Sequence, residues 1–292
     1  MIIPVYKPAE MTSHDVAAKL KRAFPIKPKI GHTGTLDPMV TGVLVILTGN
    51  DTKLSDLLPS DKTYKAVLKT GISTDTQDIT GEVVETSDKR PTYDEIKTVA
   101  ESFIGEYDQT PPMYSAVKKN GVPLYKLARK GETVEVASKK VKIYSITDTK
   151  MLSEDEFSFE VSCSSGTYVR TLCADIGKKL AIPCCMKELE RVKANGFSKE
   201  ESIPLEKAIE LASEMKLDSV SVPYEKVFSY LPKVEIPDNG LNYYLNGGKI
   251  SHSRCKTEKL VNEMYAAYNS QGIFIGLAEF SDEYFFSKWK IQ

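Results

Sequence analysis

The sequence is poor in the residues that bind transition metals. Its 292 residues include three histidines and five cysteines, and no two cysteines form a CxxC motif. An odd number of cysteines without paired spacing argues against a disulfide framework and against a zinc ribbon. Because the histidines are well separated along the chain and offer few nearby ligands, we expect no metal site.

Long apolar runs are also missing. No run approaches the roughly 20 residues that a bilayer-spanning helix needs, and residues 1–10 show no cleavable signal. Hydrophobic residues make up 41% of the chain and charged residues 27%, which is an ordinary balance for a soluble globular protein. We therefore expect a cytoplasmic protein with no membrane partner.

A strong net charge is the third absence. The formal charge is −1, so the chain as a whole does not indicate a nucleic-acid-binding protein. Its distribution is uneven, because residues 1–30 carry +4 and residues 116–142 carry +6, which leaves −11 on the rest. Two interpretations stay open on charge alone: a local phosphate-binding face, or a solvated surface with unevenly spread lysines.

The apolar pattern predicts a mixed α+β fold with many strands and few β-α-β units. Ser13 is the predicted N-cap of the first helix. The predicted helices span residues 13–24, 93–103, 122–130, 167–180 and 203–215, and the predicted strands span 2–6, 43–47, 62–69, 141–146, 157–163 and 273–278.

The character of the sequence changes after Pro223. Glycine-rich turns at residues 246–248 and 271–272 separate short strand-like segments in the last part of the chain. The sequence therefore predicts two domains, a large one over residues 1–226 and a small β-rich one over residues 231–292.

The most unusual stretch, at residues 31–44, surrounds one carboxylate with small residues. Glycines permit tight turns and close approach of another backbone, and Pro38 restricts the chain directly after Asp37. An acid on a loop before a buried strand occupies a common catalytic position. Most Asp-Pro pairs, however, only cap turns. The local pattern alone favours a turn-capping Asp37 over a catalytic one.

Several further motifs change that balance. Together they resemble the TruB family of pseudouridine synthases, in the family's order, over residues 1 to about 200. The matching segments are residues 31–44 (GHTGTLDPMVTGVL), 62–64 (KTY), 71–78 (GISTDTQD) with Gly81, 109–118 (QTPPMYSAVK) with Tyr125, Ala128 and Arg129, and 163–170 (CSSGTYVR).

The resemblance implies an activity and a fold. The activity is the isomerisation of the uridine at position 55 in the T loop of tRNA to pseudouridine, with the base flipped out of its stack and no cofactor. The fold is a catalytic domain of the pseudouridine synthase type, with a mixed, mainly antiparallel sheet. The C-terminal domain resembles a PUA-type RNA-binding domain, and a purely structural appendage is the alternative.

The resemblance also assigns catalytic residues. Asp37 matches the nucleophile, a type of group that splits a difficult step into two easier ones. Arg170 matches the arginine that pairs with it, and such a cation is expected to lower the pKa of the carboxylate. Tyr64 matches the tyrosine that stacks on the target base, and its hydroxyl is a candidate for proton transfer. In isolation Arg170 would be read as a surface residue and Tyr64 as a core residue.

Further substrate-binding residues follow from the same resemblance. Tyr168 and Leu189 match residues that line the uracil pocket. Lys62 lies two residues before Tyr64 and should point to the same strand face. His32 matches the histidine that fills the space left by the flipped base, with a general base as the competing role. Glu190 stands where the family commonly has arginine, which puts a phosphate contact there in doubt, although Arg191 remains.

The expected partner is therefore tRNA, held by its T arm and, through the C-terminal domain, by its acceptor end. We expect a monomer with no obligatory protein partner. Three alternatives stay open: a relative acting on another RNA with a guide RNA, a catalytically silent RNA-binding module, and a hydrolase with an aspartyl intermediate. The set Asp37, Tyr64 and Arg170 argues against the silent module. The absence of a phosphate-binding loop argues against the hydrolase.

Overall fold

The computed structural model of the protein describes residues 1–257 and 264–291. One large and one smaller sheet organise these residues, with helices packed on the large one. The helices are α1 (Ser13–Ala23), α2 (Tyr93–Glu101), α3 (Leu124–Ala128), α4 (Val169–Leu180), α5 (Leu205–Ser213), α6 (Tyr224–Val227) and α7 (Asp238–Leu245).

The strands of the large sheet come from the first two thirds of the chain. They are β1 (Ile2–Lys7), β2 (Ile30–His32), β3 (Thr41–Thr48), β4 (Lys62–Thr70), β7 (Gly105–Gln109), β10 (Lys139–Ser153), β11 (Glu156–Cys163), β12 (Cys184–Ala194), β13 (Phe197–Ser198) and β14 (Ile203–Pro204). Two short hairpins stand outside it, β5 (Ile72–Thr74) with β6 (Val83–Thr86), and β8 (Lys118–Lys119) with β9 (Val122–Pro123).

The large sheet has the order β14-β1-β3-β12-β4-β11-β10-β7, with β2 added to β3 and β13 added to β12. Only the pairs β1–β14 and β3–β12 are parallel, whereas the others are antiparallel. The prediction of a mixed, mainly antiparallel α+β fold is therefore confirmed.

The smaller sheet contains β15 (Lys233–Glu235), β16 (Ile250–Ser251), β17 (Lys256–Thr257), β18 (Met264–Tyr268), β19 (Phe274–Ser281) and β20 (Tyr284–Lys290). It confirms a β-rich C-terminal part. Helix α7 was not predicted, and the glycine turn at residues 246–248 follows it as its C-terminal end. The exact boundary between the two predicted domains stays a prediction.

Helix α1 corrects one detail of the sequence analysis. Its N-cap is Thr12, whose side chain accepts from the Asp15 amide while Asp15 reaches back to the Thr12 backbone. Ser13 is instead the first helical residue. Its hydroxyl accepts a hydrogen bond from the Leu36 amide at 2.8 Å, far along the chain. Ser13 therefore anchors the loop that carries Asp37.

Two other predicted helices are shorter than expected. In the segment 122–130 only Leu124–Ala128 is helical, because residues 122 and 123 pair with β8 around the turn at Gly121. In the segment 203–215 the first two residues form β14 beside β1, and the helix begins at Leu205. Sheet pairing with distant residues overrode the helical pattern at both starts.

Strand β3 is buried on both faces. Its Leu44 and Ile46 pack with residues of α1 and α5. Its Val43 and Val45 pack in a different cluster, which includes Trp289 from the C-terminal part. The C-terminal sheet thus supports the back of the strand that directly follows Asp37, and this holds that end of the loop rigidly in place.

Candidate active site

A cavity of about 1020 Å³ opens beside the loop that carries Asp37. This volume is at the upper end of the range for ligand sites. Six of the seven predicted site residues line it: Asp37, Lys62, Tyr64, Tyr168, Arg170 and Leu189. The tertiary structure therefore brings together residues that lie as far as 152 positions apart in the sequence.

Asp37 and Arg170 form an ion pair in this cleft. The Arg170 guanidinium lies 3.1 Å from the Asp37 carboxylate, and the arginine side chain is 7% exposed whereas the aspartate is 40% exposed. Arg170 also donates to the Tyr114 carbonyl at 2.6 Å. It lies in the first turn of α4, which directs it into the cleft. The surface interpretation of Arg170 is therefore wrong.

The pKa of Asp37 was expected to be lowered, and it is raised. Burial in the cleft raises it, the Arg170 guanidinium lowers it only in part, and the nearby Asp78 carboxylate raises it further. Desolvation disfavours the charged form of a carboxyl group, and here this effect outweighs the ion pair.

Asp78 is the residue that the sequence analysis missed. Its carboxylate lies 3.4 Å from Nη1 of Arg170, whereas the Asp37 carboxylate contacts Nη2. It also accepts from the Thr76 hydroxyl at 2.9 Å and from the Thr80 amide at 3.0 Å. The signal that could have found it was present, since Asp78 is the last residue of the matched segment 71–78.

The loop between β2 and β3, residues 33–40, is here called the Asp37 loop. Buried polar side chains from distant elements hold its backbone. Lys7 donates to the Pro38 carbonyl at 3.2 Å and to two carbonyls of residues 8 and 11. Burial lowers the pKa of Lys7 to about 8. Thr33 donates to Asn195, which in turn donates to the Pro59 carbonyl.

The aromatic and aliphatic walls of the cleft are fixed from behind. Tyr64 is 7% exposed, and burial raises the pKa of its hydroxyl. The Gln109 side chain grips the Tyr168 backbone, accepting from its amide at 2.8 Å and donating to its carbonyl at 3.0 Å. The Arg170 guanidinium lies 6.0 Å from the centre of the Tyr168 ring. These contacts preset the walls before a substrate enters.

Lys62 and His32 differ in their placement. Lys62 lines the cleft, donates to the Ser60 carbonyl at 2.9 Å, and has its pKa lowered by burial and by the nearby Arg191. His32 lies in β2 opposite Ile46 and is not among the residues that line the cleft. Burial lowers the pKa of its imidazole, which favours the neutral form.

Glu190 and Arg191 do not present a cation to the surface. The Glu190 carboxylate accepts from the Tyr6 hydroxyl at 2.6 Å and pairs with Lys199 at 2.5 Å. Arg191 is 1% exposed and bonds to the carbonyls of Gly34 and Val43. The suggestion that Arg191 remains available for a phosphate is therefore wrong.

The most basic segment of the sequence, residues 116–142, flanks the cleft. Its Tyr125 and Arg129 contribute to the lining, with the Arg129 guanidinium 5.5 Å from the centre of the Tyr125 ring. Its lysines at residues 118 and 119 are exposed. The arrangement offers positive charge and an aromatic surface at the mouth of the cleft.

Within residues 1–257 and 264–291, no three histidine, cysteine, aspartate or glutamate side chains are grouped to hold a metal ion. None of the helices described in this part of the chain is both long and apolar enough to span a membrane. The thiols of Cys163, Cys173, Cys184 and Cys185 are buried, and burial raises their pKa values.

Solved structures share this fold. The chain superimposes with a TM-score of 0.73 and 25% identity on a chain of a Cbf5-Nop10-Gar1 complex, covering 95% of this chain and 77% of that one. A chain of an H/ACA RNP bound to a substrate RNA containing 2′-deoxyuridine gives a TM-score of 0.74 at 22% identity, with coverage of 100% and 84%. The latter likeness concerns the fold alone.

Relatives of closely similar sequence are named tRNA pseudouridine synthase B. The protein of that name from Clostridium perfringens strain 13 is 41% identical over 95% of this chain and 94% of its own length. Those from Clostridium tetani and Staphylococcus haemolyticus are 42% and 43% identical over 97% and 86% of this chain, and over 96% and 85% of their own lengths. The model of the TruB family pseudouridylate synthases (N-terminal domain) matches residues 21–169. The resemblance drawn from the motifs is thereby confirmed, and the chain belongs to the TruB family of pseudouridylate synthases, which makes it an isomerase.

Proposed function

We propose that this isomerase converts the uridine at position 55 of the tRNA T loop to pseudouridine, with Asp37 as the nucleophile. The single observation that carries the proposal is the Asp37–Arg170 ion pair at 3.1 Å in a cleft walled by Tyr64, Tyr168 and Leu189. The relatives named tRNA pseudouridine synthase B support tRNA as the substrate.

The reaction rearranges one base without oxidation or transfer to another molecule. The bond between N1 of uracil and C1′ of the ribose breaks, the base turns, and a bond forms between C5 and C1′. The proton on C5 is lost and N1 gains one, so the atoms balance. Asp37 serves as the covalent partner of the split step, attacking either C1′ or C6, or it promotes a glycal intermediate. Arg170 keeps its carboxylate oriented toward the cleft.

The target base must leave its stack to reach Asp37, at a cost of a few kcal/mol. Tyr64 offers a stacking surface, typically worth about 1–3 kcal/mol per base, and its hydroxyl is the candidate group for proton transfer. Tyr168 and Leu189 complete the pocket for the flipped uracil. His32 fills the space that the base has left in the T loop.

The basic segment 116–142 and Lys62 bind the T arm, because their cations contact its backbone phosphates. The C-terminal domain contacts the acceptor end. The enzyme acts as a monomer in the cytoplasm, without a cofactor, a metal or a protein partner.

The test incubates the protein with full-length unmodified tRNA and with an isolated T-arm stem-loop, and maps pseudouridine at single-nucleotide resolution. Modification confined to the T-loop uridine in both substrates is the expected result. Modification elsewhere, or only when a guide RNA is added, would replace this proposal with the activity of a sister enzyme.

A further inference from the structure

Arg191 is a buried cation without a carboxylate. It is among the largest fully buried side chains. Within residues 1–257 and 264–291, Arg191 forms no ion pair with an aspartate or a glutamate, whereas Arg170 forms two. Nη1 of Arg191 has no hydrogen-bond partner there. Burying an unpaired charge is costly, and an apolar side chain of similar volume would often be neutral or stabilising. Packing alone therefore does not account for an arginine at this position.

The guanidinium bridges two carbonyls on either side of Asp37. Nε donates to the Val43 carbonyl at 2.7 Å and Nη2 to the Gly34 carbonyl at 3.1 Å. Gly34 lies in the Asp37 loop, and Val43 lies at the start of the strand that follows it. The planar fork of an arginine suits two acceptors at once, which a lysine ammonium does not reproduce.

The backbone around Gly34 is adapted to this contact. Gly34 has a φ of +132°, and a Cβ atom there would lie 3.6 Å from Nη1 of Arg191 and 3.4 Å from Cε of Lys62. A side chain at this position would be strained in its backbone, and its Cβ would lie in van der Waals contact with both cations. The arginine and the loop are therefore closely fitted to each other.

The other side of Arg191 faces Tyr64. The two residues are directly opposite on the neighbouring antiparallel strands β12 and β4, as Leu189 is opposite Ala66. Side chains of directly opposite residues lie on the same face of a sheet and contact each other. The Arg191 guanidinium also opposes the rise that burial causes in the pKa of Tyr64.

We propose that Arg191 is a positioning residue, which fixes the Asp37 loop and the Tyr64 side chain relative to each other in the catalytic geometry. This inference rests on the proposed roles of Asp37 and Tyr64. Arg191 contacts no reacting atom itself. A displacement of about 1 Å in a catalytic group can cost on the order of 100-fold in rate. Because Arg191 holds both the Asp37 loop and Tyr64, its loss should slow the chemical step.

The experiment compares R191K and R191M with the wild-type enzyme in single-turnover assays on the T-arm stem-loop. Both variants are expected to lose about 100-fold in the rate of the chemical step, with the Kd for the stem-loop within about threefold of wild type. R191K keeps the positive charge, so it still tests the inference if R191M fails to fold. Unchanged rates in the folded variants, or a loss confined to Kd, would overturn the inference.

Arg90 provides a matched control. It is exposed, and its guanidinium also donates to two backbone carbonyls, those of Ser87 at 2.9 Å and Lys89 at 3.1 Å. R90M is expected to match the wild type in every readout.

A further readout separates positioning from general stability. Hydrogen exchange of the amides in residues 33–40 should be faster in R191K and R191M than in the wild type and R90M, and unchanged exchange would overturn the clamp. A wild-type enzyme that makes no pseudouridine would instead refute the proposed function, while the exchange measurement would still test the clamp.

Discussion

Two loops each bring one carboxylate to the same arginine, and they do so in opposite ways. The Asp78 loop, residues 75–82 between β5 and β6, buries its aspartate at 5% side-chain exposure, whereas the Asp37 loop leaves its aspartate 40% exposed. Asp78 is surrounded by hydrogen-bond donors within its own loop. Asp37 has Arg170 as its ion-pair partner and otherwise faces the cleft.

The different surroundings of the two carboxylates suit them to different tasks, orientation for Asp78 and reaction for Asp37. A carboxylate that accepts several hydrogen bonds is held in one place and is a poor nucleophile, because its lone pairs are occupied. A carboxylate held by one cation at one oxygen keeps the other available. Asp78 therefore holds Arg170 at Nη1, and Arg170 orients Asp37 through Nη2.

The largest effect should follow from removing the free carboxylate. Asp37→Asn keeps the shape of the side chain but removes its nucleophilic charge, so pseudouridine formation should fall by about 10⁴-fold or more. Binding to tRNA should persist because the basic and stacking residues remain. The measurement is single-turnover formation of pseudouridine beside a filter-binding Kd. Turnover near the wild-type rate by a clean preparation would sink the nucleophile assignment.

A smaller effect is expected at the bound carboxylate. Asp78→Asn retains most of its hydrogen bonds but loses the charge that holds Arg170, and a resulting shift of Arg170 should slow the chemical step by roughly 100-fold. Glu82→Gln, an exposed change in the same loop, is the matched control and should leave the rate unchanged. Wild-type kinetics for Asp78→Asn would show that the two loops act independently.

The pH dependence sharpens the same comparison. Because the pKa of Asp37 is raised, activity should fall as the pH drops through that raised value, when the proposed nucleophile takes up a proton. Ionised Asp37 costs stability above this pKa and that cost is relieved below it, so protonation of Asp37 itself does not destabilise the fold.

Asp78 contributes to raising the Asp37 pKa, so the acidic limb in Asp78→Asn should move to lower pH. The pH–rate profiles of the two proteins measure this directly. An acidic limb that stays at the wild-type pH would contradict the coupling of the two carboxylates.

The smallest effect concerns one donor in the Asp78 loop. Thr80→Val removes a hydroxyl that donates to the Asp78 carboxylate at 2.5 Å, while the Thr80 amide keeps its own bond. A hydrogen bond to a charged group is worth about 1.5–3 kcal/mol, so the free energy of unfolding should fall by that amount with little change in rate. Urea denaturation measures the first and single-turnover assays the second. A loss of rate as large as that of Asp78→Asn would mean that the Thr80 hydroxyl is as important for the chemical step as the charge of Asp78.

The sequence predicted the fold where local patterns and sheet pairing agree. Helices α1, α2 and α4 and strands β4 and β11 appear within a few residues of their predicted bounds. Strand β12, in the middle of the sheet, was not predicted, because charged residues such as Lys187 and Lys193 interrupt its apolar residues. Its burial depends on the neighbours β3 and β4, which lie more than 100 positions earlier in the chain.

The sequence by itself determined the family of the chain, and it pointed to Asp37 as the proposed nucleophile together with most of its companions. Short segments that match a family carry the residue types around Asp37, Tyr64 and Arg170, and their spacing is visible without any coordinates. What only the tertiary structure decided is how Asp37 is held. Arg191 meets the Val43 carbonyl across 148 residues of sequence, and Arg170 meets Asp78 across 92. Contacts between residues so far apart in the sequence produce no local pattern from which they could be predicted. Burial raises the pKa of Asp37, and burial exists only once the sheet has formed.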